Sequence, residues 1–238
     1  MKLCKTLIVR VCLILMAIVP AYGQGQRGNI GIDFGQTSDK FGALSRSSAA
    51  VGDVNGQFVI LQGKQKEGSP SVVAGGEIRF PSDTSNHANE FAVFGGVMFR
   101  FTSAFSAGFH GQVHKLLLPS SIVENQTFNR NNMELLEAPL VLEFKFGPNK
   151  HAFLQAQGAP EFRPRWRNSK AGSTGLPNPA FDHAYFIRGS LGYIFGKWYA
   201  KGTYETRYFK FIAGPPGNPS NLYNWRTDMI TGGVGLVF

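Results

Sequence analysis

The stretch 134–146 alternates apolar and polar side chains with a period of two, the pattern of a β-strand with two different faces. One face carries Leu136, Ala138, Leu140, Leu142, Phe144 and Phe146. The opposite face carries Leu135, Glu137, Pro139, Val141, Glu143 and Lys145. The first face can contact lipid, and the second, with three charges, cannot. Pro139 has no N–H for the ladder, so we predict a bulge there.

The same alternation recurs at 91–101, 184–195, 198–208 and 230–238, so it is a property of the chain and not of one segment. After residue 23, no run of 18 residues is uniformly apolar, and a transmembrane helix is not expected. With Gly at 29 positions, Phe at 21 and only 16% charged residues, the composition also suits a sheet with a lipid-facing side. The sequence therefore predicts an all-β, antiparallel, up-and-down transmembrane β-barrel.

Connections between the predicted strands alternate between short and long. Short ones are expected at 67–69, 102–103, 147–150 and 196–197, and long ones at 38–55, 81–90, 117–132, 164–182 and 212–225. Transmembrane barrels have short turns on one side and long loops on the other. This spacing predicts ten strands. Eight remain possible, because the first hairpin (about 28–37 and 56–65) alternates poorly.

The N-terminal residues 1–23 have the layout of a secretory signal peptide. Lys2, Lys5 and Arg10 precede the apolar run 11–19, and Ala21 and Gly23 stand before a predicted cut at Gln24. A retained membrane anchor is the alternative. We expect export, a barrel domain over 24–238, and location in the bacterial outer membrane. Both cysteines, Cys4 and Cys12, lie in the signal, so no disulfide is expected in the barrel.

The last residues, 232–238, end in alternate apolar side chains and a terminal aromatic: Val234, Leu236 and Phe238. This ending resembles the C-terminal signal of outer-membrane proteins, and 137–146 resembles a segment of the small outer-membrane β-barrel family (OmpA/OmpX-like). The resemblance implies that the barrel-assembly machinery recognises Val234, Leu236 and Phe238. It implies no particular activity, because one barrel design serves many functions.

The alternation assigns a charged set to the barrel interior. Its members are Glu77, Arg79, Arg100, Glu137, Glu143, Lys145, Glu161, Arg163, Arg188, Lys201, Glu205 and Arg207. Acids and bases are nearly balanced, which favours ion pairs that fill a narrow lumen. The first hypothesis is a structural or surface-interaction barrel that exposes loops. The second is a narrow, porin-like pore lined by Arg and Glu.

An outer-membrane protease or lipid-modifying enzyme is the third hypothesis. Omptin-type proteases need an Asp–His pair at the rim, and the nearest candidates are Asp182 with His183, Asp83 with His87, and Asp228. Adjacent strand residues face opposite sides, which argues against the first pair. No His is followed by Ser two residues later, the spacing that lipid A deacylase-type barrels need. We therefore predict no catalytic residues.

Cofactors, metals and nucleic acid are not expected. His110 and His114 are four residues apart, which on a strand separates them by about 13 Å. They are interpreted as polar groups of the lumen. Three of the nine net positive charges lie in the signal, and the remaining +6 suits contact with outer-membrane lipid and lipopolysaccharide, although a solvated loop surface is equally compatible. A soluble lipocalin-like barrel is the alternative fold, with apolar residues inside and charges outside.

Overall fold

The computed structural model describes residues 28–41, 47–62, 68–117, 132–167, 180–213 and 221–238. Eleven strands account for most of these residues: β1 (Gly28–Phe41), β2 (Ser47–Gln62), β3 (Pro70–Pro81), β4 (Asn89–Arg100), β5 (Phe105–Leu117), β6 (Asn132–Glu137), β7 (Leu140–Phe146), β8 (Ala152–Arg167), β9 (Ala180–Phe195), β10 (Trp198–Ala213) and β11 (Asn221–Val237). No helix among the described residues is long and apolar enough to cross a membrane.

The strands form a closed antiparallel barrel. Strands that follow one another in the sequence pair, except β6 with β7, and β1 pairs with β11 from Asn29 opposite Val237 to Phe41 opposite Trp225. β6 and β7 both lie between β5 and β8, so together they fill one position in the wall. The barrel therefore has ten strand positions in up-and-down order, as the sequence predicts.

Pro139 separates β6 from β7 without changing the register against β5. Gln112 lies opposite Glu137, Phe109 lies opposite Leu140, and the Pro139 carbonyl accepts a hydrogen bond from the His110 N–H. The register shift lies elsewhere, between Glu134 and Leu136 on the side that faces β8. The predicted bulge at Pro139 is therefore wrong. The missing N–H interrupts the ladder there, and the one extra residue lies in β8, between Phe162 and Arg165.

The connections differ most from prediction in the first hairpin. β1 and β2 extend through most of 38–55, so the long loop expected there is wrong. Asp33 lies opposite Asp53, and Ser38 opposite Ser48, in a regular ladder. We call the end with turns 101–104, 147–151 and 196–197 the short-turn end. The opposite end, with connections 42–46, 82–88, 118–131, 168–179 and 214–220, is the long-loop end.

The barrel is apolar outside and charged inside. Outward side chains such as Phe34, Val93, Phe109, Ile187 and Ile230 are exposed. The buried side chains include Arg79, Glu137, Glu205 and Arg207. This polarity is the reverse of the lipocalin-like alternative, which is therefore wrong, and it is the arrangement of a barrel that stands in lipid.

Outward aromatic side chains form two bands. Tyr193, Phe195 and Trp198 are exposed at the short-turn end, and Tyr185 lies opposite Tyr208 nearer the long-loop end. Tyr185 and Tyr193 are eight residues apart on β9, about 26 Å along a strand. Strand tilt reduces this to a height of about 20 Å, which is close to the apolar band of a transmembrane barrel.

Candidate functional site

The interior is built around an ion pair that crosses the barrel. Arg79 of β3 donates through Nη1 to Glu205 Oε1 at 2.7 Å and through Nη2 to Glu205 Oε2 at 2.6 Å. Three strands separate β3 from β10 along the wall, so the contact spans the lumen. Arg79 Nη1 also donates to Glu90 Oε2 at 2.9 Å. A bidentate guanidinium–carboxylate pair is a strong and directional contact, and here it blocks the barrel axis.

Arg188 of β9 completes one side of this cluster. Its Nε donates to Glu205 Oε2 at 2.6 Å, and its Nη2 lies 2.8 Å from Glu77 Oε2. Glu77 also contacts Arg79, and Asp53 lies opposite Arg79 in the ladder with its Oδ2 3.6 Å from Arg79 Nε. Glu205 and Arg188 are likewise opposite each other. The strand register therefore already places Asp53 beside Arg79 and Arg188 beside Glu205 on the inner face of the wall.

Arg207 continues the network toward β5 and β6. Its Nη1 donates to Glu137 Oε1 at 2.6 Å, and its guanidinium carbon lies 5.1 Å from the centre of the Phe186 ring. Gln112 donates to Glu137 Oε2 at 2.6 Å. His114 lies between two carboxylates, with Nε2 3.0 Å from Glu90 Oε2 and Nδ1 3.5 Å from Glu137 Oε1. This second half joins the first through the shared carboxylate of Glu90.

Burying these charged groups costs free energy, and so does breaking their pairs. Each desolvated ion costs several kcal/mol, which its partners return only when the geometry is good. Removing one partner from such a pair costs roughly 3–5 kcal/mol, because the other charge stays buried. We refer to Asp53, Glu77, Arg79, Glu90, His114, Glu137, Arg188, Glu205 and Arg207 as the central network. Its arrangement can close a lumen and fix the barrel shape.

An apolar layer adjoins the central network and continues from it toward the long-loop end. Its buried, inward side chains are Val51, Leu116, Met133, Leu135, Phe186, Phe209 and Trp225. The rings of Phe209 and Trp225 are 5.0 Å apart. Trp225 Nε1 donates to Asp39 Oδ1 at 3.3 Å, so its polar atom is satisfied at the rim. Charge pairs and buried apolar side chains thus fill adjoining parts of the lumen.

The short-turn end is wetter. Lys145 Nζ lies 3.1 Å from Glu143 Oε1, and their side chains are 41% and 26% exposed. Gln157 donates to Gln155 on the same inward face of β8, at 3.1 Å. A separate cluster nearby links Lys201 Nζ to Asp33 Oδ2 and to Asn55 Oδ1, both at 3.0 Å. The Glu143–Lys145 pair at this end is therefore more exposed than the ion pairs of the central network.

Six of the twelve predicted lumen residues meet in the central network: Glu77, Arg79, Glu137, Arg188, Glu205 and Arg207. Glu143 and Lys145 pair at the short-turn end, and Lys201 belongs to the cluster with Asp33. Arg100 ends β4 at the short-turn end, half-buried and apart from the network. The side chains of Glu161 and Arg163 lie outside the described residues. Val234 and Leu236 face outward, and the Phe238 ring contacts Phe58 at 5.8 Å between ring centres.

Sequence reasoning missed Asp33, Asp53 and Glu90. Asp33 and Asp53 were missed because the first hairpin was read as short and loop-rich, although both share the inward parity of its strands. Glu90 stands one residue before the predicted strand 91–101, with the inward parity of Ala92. Extending each period-two pattern by one residue at a time would have found it.

The acid–histidine candidates do not form an open site. The Asp83 carboxylate accepts hydrogen bonds from Asn86 Nδ2 and the Ser85 N–H, which lower its pKa below the usual range for Asp. His87 instead pairs with Asp39, with His87 Nδ1 2.6 Å from Asp39 Oδ2, and its side chain is only 1% exposed. Pairing of Asp83 with His87 is therefore wrong. The carboxylate that orients the His87 imidazole is that of Asp39.

The other two candidates lie on the outer face. His183 is exposed, with its ring 5.7 Å from that of Tyr208, and the side chain of Asp182 lies outside the described residues. Asp228 accepts hydrogen bonds from Tyr204 and Arg226. His110 stacks on Phe94, with ring centres 5.0 Å apart. Among the described residues, no three His, Cys, Asp or Glu side chains converge as metal ligands would.

Comparison with known proteins gives barrels of the outer membrane, at low similarity. No protein-family model matches the sequence, and no characterised protein matches it significantly. Among solved structures, the outer membrane protease OmpT from Escherichia coli is 10% identical with a TM-score of 0.43, covering 90% of this chain and 97% of its own. The KdgM porin is 11% identical with a TM-score of 0.37, covering 87% and 99%. The toluene transporter TodX of P. putida is 11% identical with a TM-score of 0.32, covering 91% and 90%.

Proposed function

We propose that this chain is an outer-membrane barrel with a closed interior, whose role is structural or depends on binding at its long-loop end. The observation that carries the proposal is the bidentate Arg79–Glu205 pair across the lumen, together with the contacts of Arg188 and Arg207 beside it. The apolar layer above this network supports it independently. A solute would have to displace both.

Placement in an outer membrane rests on the apolar exterior and the two aromatic bands. These features suit a barrel that spans a lipid bilayer. The N-terminal signal layout and the terminal Val234, Leu236 and Phe238 support export and recognition by the barrel-assembly machinery. The proposal assigns no catalytic group, because His87 and His114, two described imidazoles that carboxylates orient, are both buried away from solvent.

The test is conductance across a planar bilayer. The protein is purified from membranes, and heat-dependent gel mobility establishes that it is folded. We expect silence under an applied voltage. Discrete, ion-selective current steps from the folded wild-type protein would overturn the closed-lumen proposal.

A narrow, gated pore is the second candidate, and the wet short-turn end favours it. Exposed Glu143 and Lys145 already provide half of a polar path. If the central network opens, replacing Arg79 and Glu205 together by Ser should produce current without unfolding the barrel. Silence from this folded double variant leaves the apolar layer as sufficient closure and argues against a pore.

A further inference from the structure

The outer face carries a concentration of positive charge in one sector of the long-loop end. Lys40 on β1 and Arg226 on β11 are exposed, and Lys210 on β10 is half-buried. Lys40 lies directly opposite Arg226 in the ladder, and Lys210 lies opposite Asn224, two residues along β11 from Arg226. Strands are separated by about 4.8 Å, so the three charged groups can reach one ligand. We call Lys40, Lys210 and Arg226 the basic sector.

Arg226 remains accessible beside its acidic partner. Arg226 Nε and Nη2 donate to Asp228 Oδ1 at 3.0 and 2.9 Å, yet 54% of the Arg226 side chain remains exposed. Asp228 is the one carboxylate among the outward side chains described on β1, β9, β10 and β11. Like charges directly opposite in a ladder, such as Lys40 and Arg226, destabilise a sheet unless an anion lies between them.

The wall beneath the basic sector is suited to a lipid. Tyr208 lies opposite both Arg226 and Tyr185, and the Tyr208 hydroxyl donates to Asn224 Oδ1 at 2.9 Å. Further down the same strands, Phe34, Ile187 and Ile230 are exposed. Lys210 thus lies above Tyr208 on β10, Arg226 lies beside Tyr208 on β11, and apolar side chains lie below both. This order matches a molecule with an anionic headgroup and acyl chains, whereas a free anion has no use for the apolar wall.

One described basic side chain on the other side of the barrel has an acidic residue directly across the ladder. Lys115 on β5 occupies the same end of the wall, but it lies directly opposite Glu134 on β6. An opposite-charge pair across a ladder is neutral as a whole and mildly stabilising. Lys115 is therefore a matched control, since it is a basic, outward residue near the long-loop end with its own counter-charge.

We propose that the basic sector binds the phosphorylated headgroup of a lipid in the leaflet at the long-loop end. Arg226 and Lys40 contact phosphate oxygens, Lys210 adds a third cation, and the acyl chains lie against Phe34 and Ile230. A planar guanidinium suits phosphate geometry. The inference rests on the proposed placement of the barrel in an outer membrane, where a phosphorylated glycolipid such as lipopolysaccharide supplies this chemistry.

The experiment uses the protein purified from membranes in an uncharged maltoside detergent. Diphosphoryl lipid A, the same lipid without phosphates, and inorganic phosphate are titrated separately, and native mass spectrometry measures the bound fraction. Wild type is compared with the double variant Lys40→Ala/Arg226→Ala and with Lys115→Ala. A charge-preserving variant, Lys40→Arg/Arg226→Lys, guards against loss of folding, which heat-dependent gel mobility monitors.

We expect diphosphoryl lipid A to bind wild type and Lys115→Ala alike. Each basic side chain near a lipid surface contributes about fivefold in affinity, so the double alanine variant should bind about 25-fold more weakly. Equal binding of the lipid without phosphates, or an unchanged affinity in the folded double variant, would overturn the proposal. Inorganic phosphate that binds as tightly as the lipid would overturn the choice of a lipid.

Failure here is distinguishable from failure of the proposed function. A barrel that conducts ions contradicts the closed lumen and leaves the lipid titration unaffected. A barrel that is silent, folded and resident in membranes but indifferent to lipid phosphate contradicts this inference alone.

Discussion

The two halves of the lumen solve the problem of a polar interior in different ways. Near the long-loop end, large side chains such as Phe209 and Trp225 fill the space, and the charged groups of the central network below them lie beside oppositely charged partners. Near the short-turn end, inward positions carry glycine, glutamine and a half-exposed Glu143–Lys145 pair. The wall has the same number of strands at both levels. Side-chain volume and pairing, and not barrel width, therefore decide where the lumen is closed.

The largest loss of stability is expected on removal of Arg79, which contacts four carboxylates of the central network. In Arg79→Ala, the carboxylates of Asp53, Glu77, Glu90 and Glu205 lose their shared cation while remaining buried. We expect the free energy of unfolding to fall by about 3–5 kcal/mol. Reversible guanidinium unfolding in lipid vesicles, followed by tryptophan fluorescence, measures it. Arg100→Ala, at the short-turn end and outside the network, is the control.

A loss below about 1 kcal/mol for Arg79→Ala would mean that the carboxylates find water or protons. The network would then be no more costly to break than the pair at the short-turn end.

The apolar layer gives the next largest expected effect. Phe209→Ala removes a fully buried ring that packs on Trp225, and it should lower the free energy of unfolding by about 3–4 kcal/mol. Conductance should stay absent, because the central network still closes the barrel. Phe195→Ala, an exposed aromatic on the lipid side, serves as the matched control. Current through folded Phe209→Ala would show that the charged network alone does not close the lumen.

The sequence alone predicted the fold through features that depend only on strand parity and loop spacing. Leu136, Leu140 and Phe144 lie on the exposed face that the alternation assigns. Which charged residues meet was not predictable, because Arg79 and Glu205 are 126 residues apart and are joined by barrel closure. The first hairpin was misjudged for a related reason. Small and polar residues such as Gly35, Thr37 and Ser48 look like loop formers, yet they occupy strands whose neighbours supply the ladder.

Gly31 and Gly235, in the short-turn half, leave room for the Tyr199 side chain. Replacing one of them should lower the free energy of unfolding by less than the two substitutions above. A Cβ at Gly31 would lie 2.1 Å from the Tyr199 hydroxyl, and one at Gly235 would lie 2.5 Å from the Tyr199 ring. Tyr199 therefore lies flat against the wall instead of crossing the lumen. Gly31→Ala should cost about 1–3 kcal/mol through overpacking.

Adding Tyr199→Phe to Gly31→Ala should recover part of that loss, because it removes the hydroxyl that the new methyl group meets. Gly52→Ala, on β2 with its nearest ring atom 3.6 Å away, is the control. Equal costs for Gly31→Ala and Gly52→Ala would mean that strand entropy, and not contact with Tyr199, explains the glycine.

The smallest loss of stability is expected at the short-turn end, where the Glu143–Lys145 pair is partly solvated. Lys145→Ala breaks the contact with Glu143, but both side chains are partly solvated, and exposed ion pairs contribute about 0–1 kcal/mol. The free energy of unfolding should change by less than about 1 kcal/mol, and the change should shrink further as salt screens the pair. Guanidinium chloride is itself a salt, so it screens the ion pair while it denatures the protein. Unfolding in urea, with and without added NaCl, is therefore the appropriate measurement. A loss comparable to that of Arg79→Ala would mean that the short-turn half is as dry as the centre, since only a desolvated Glu143 carboxylate would suffer so much from losing its partner.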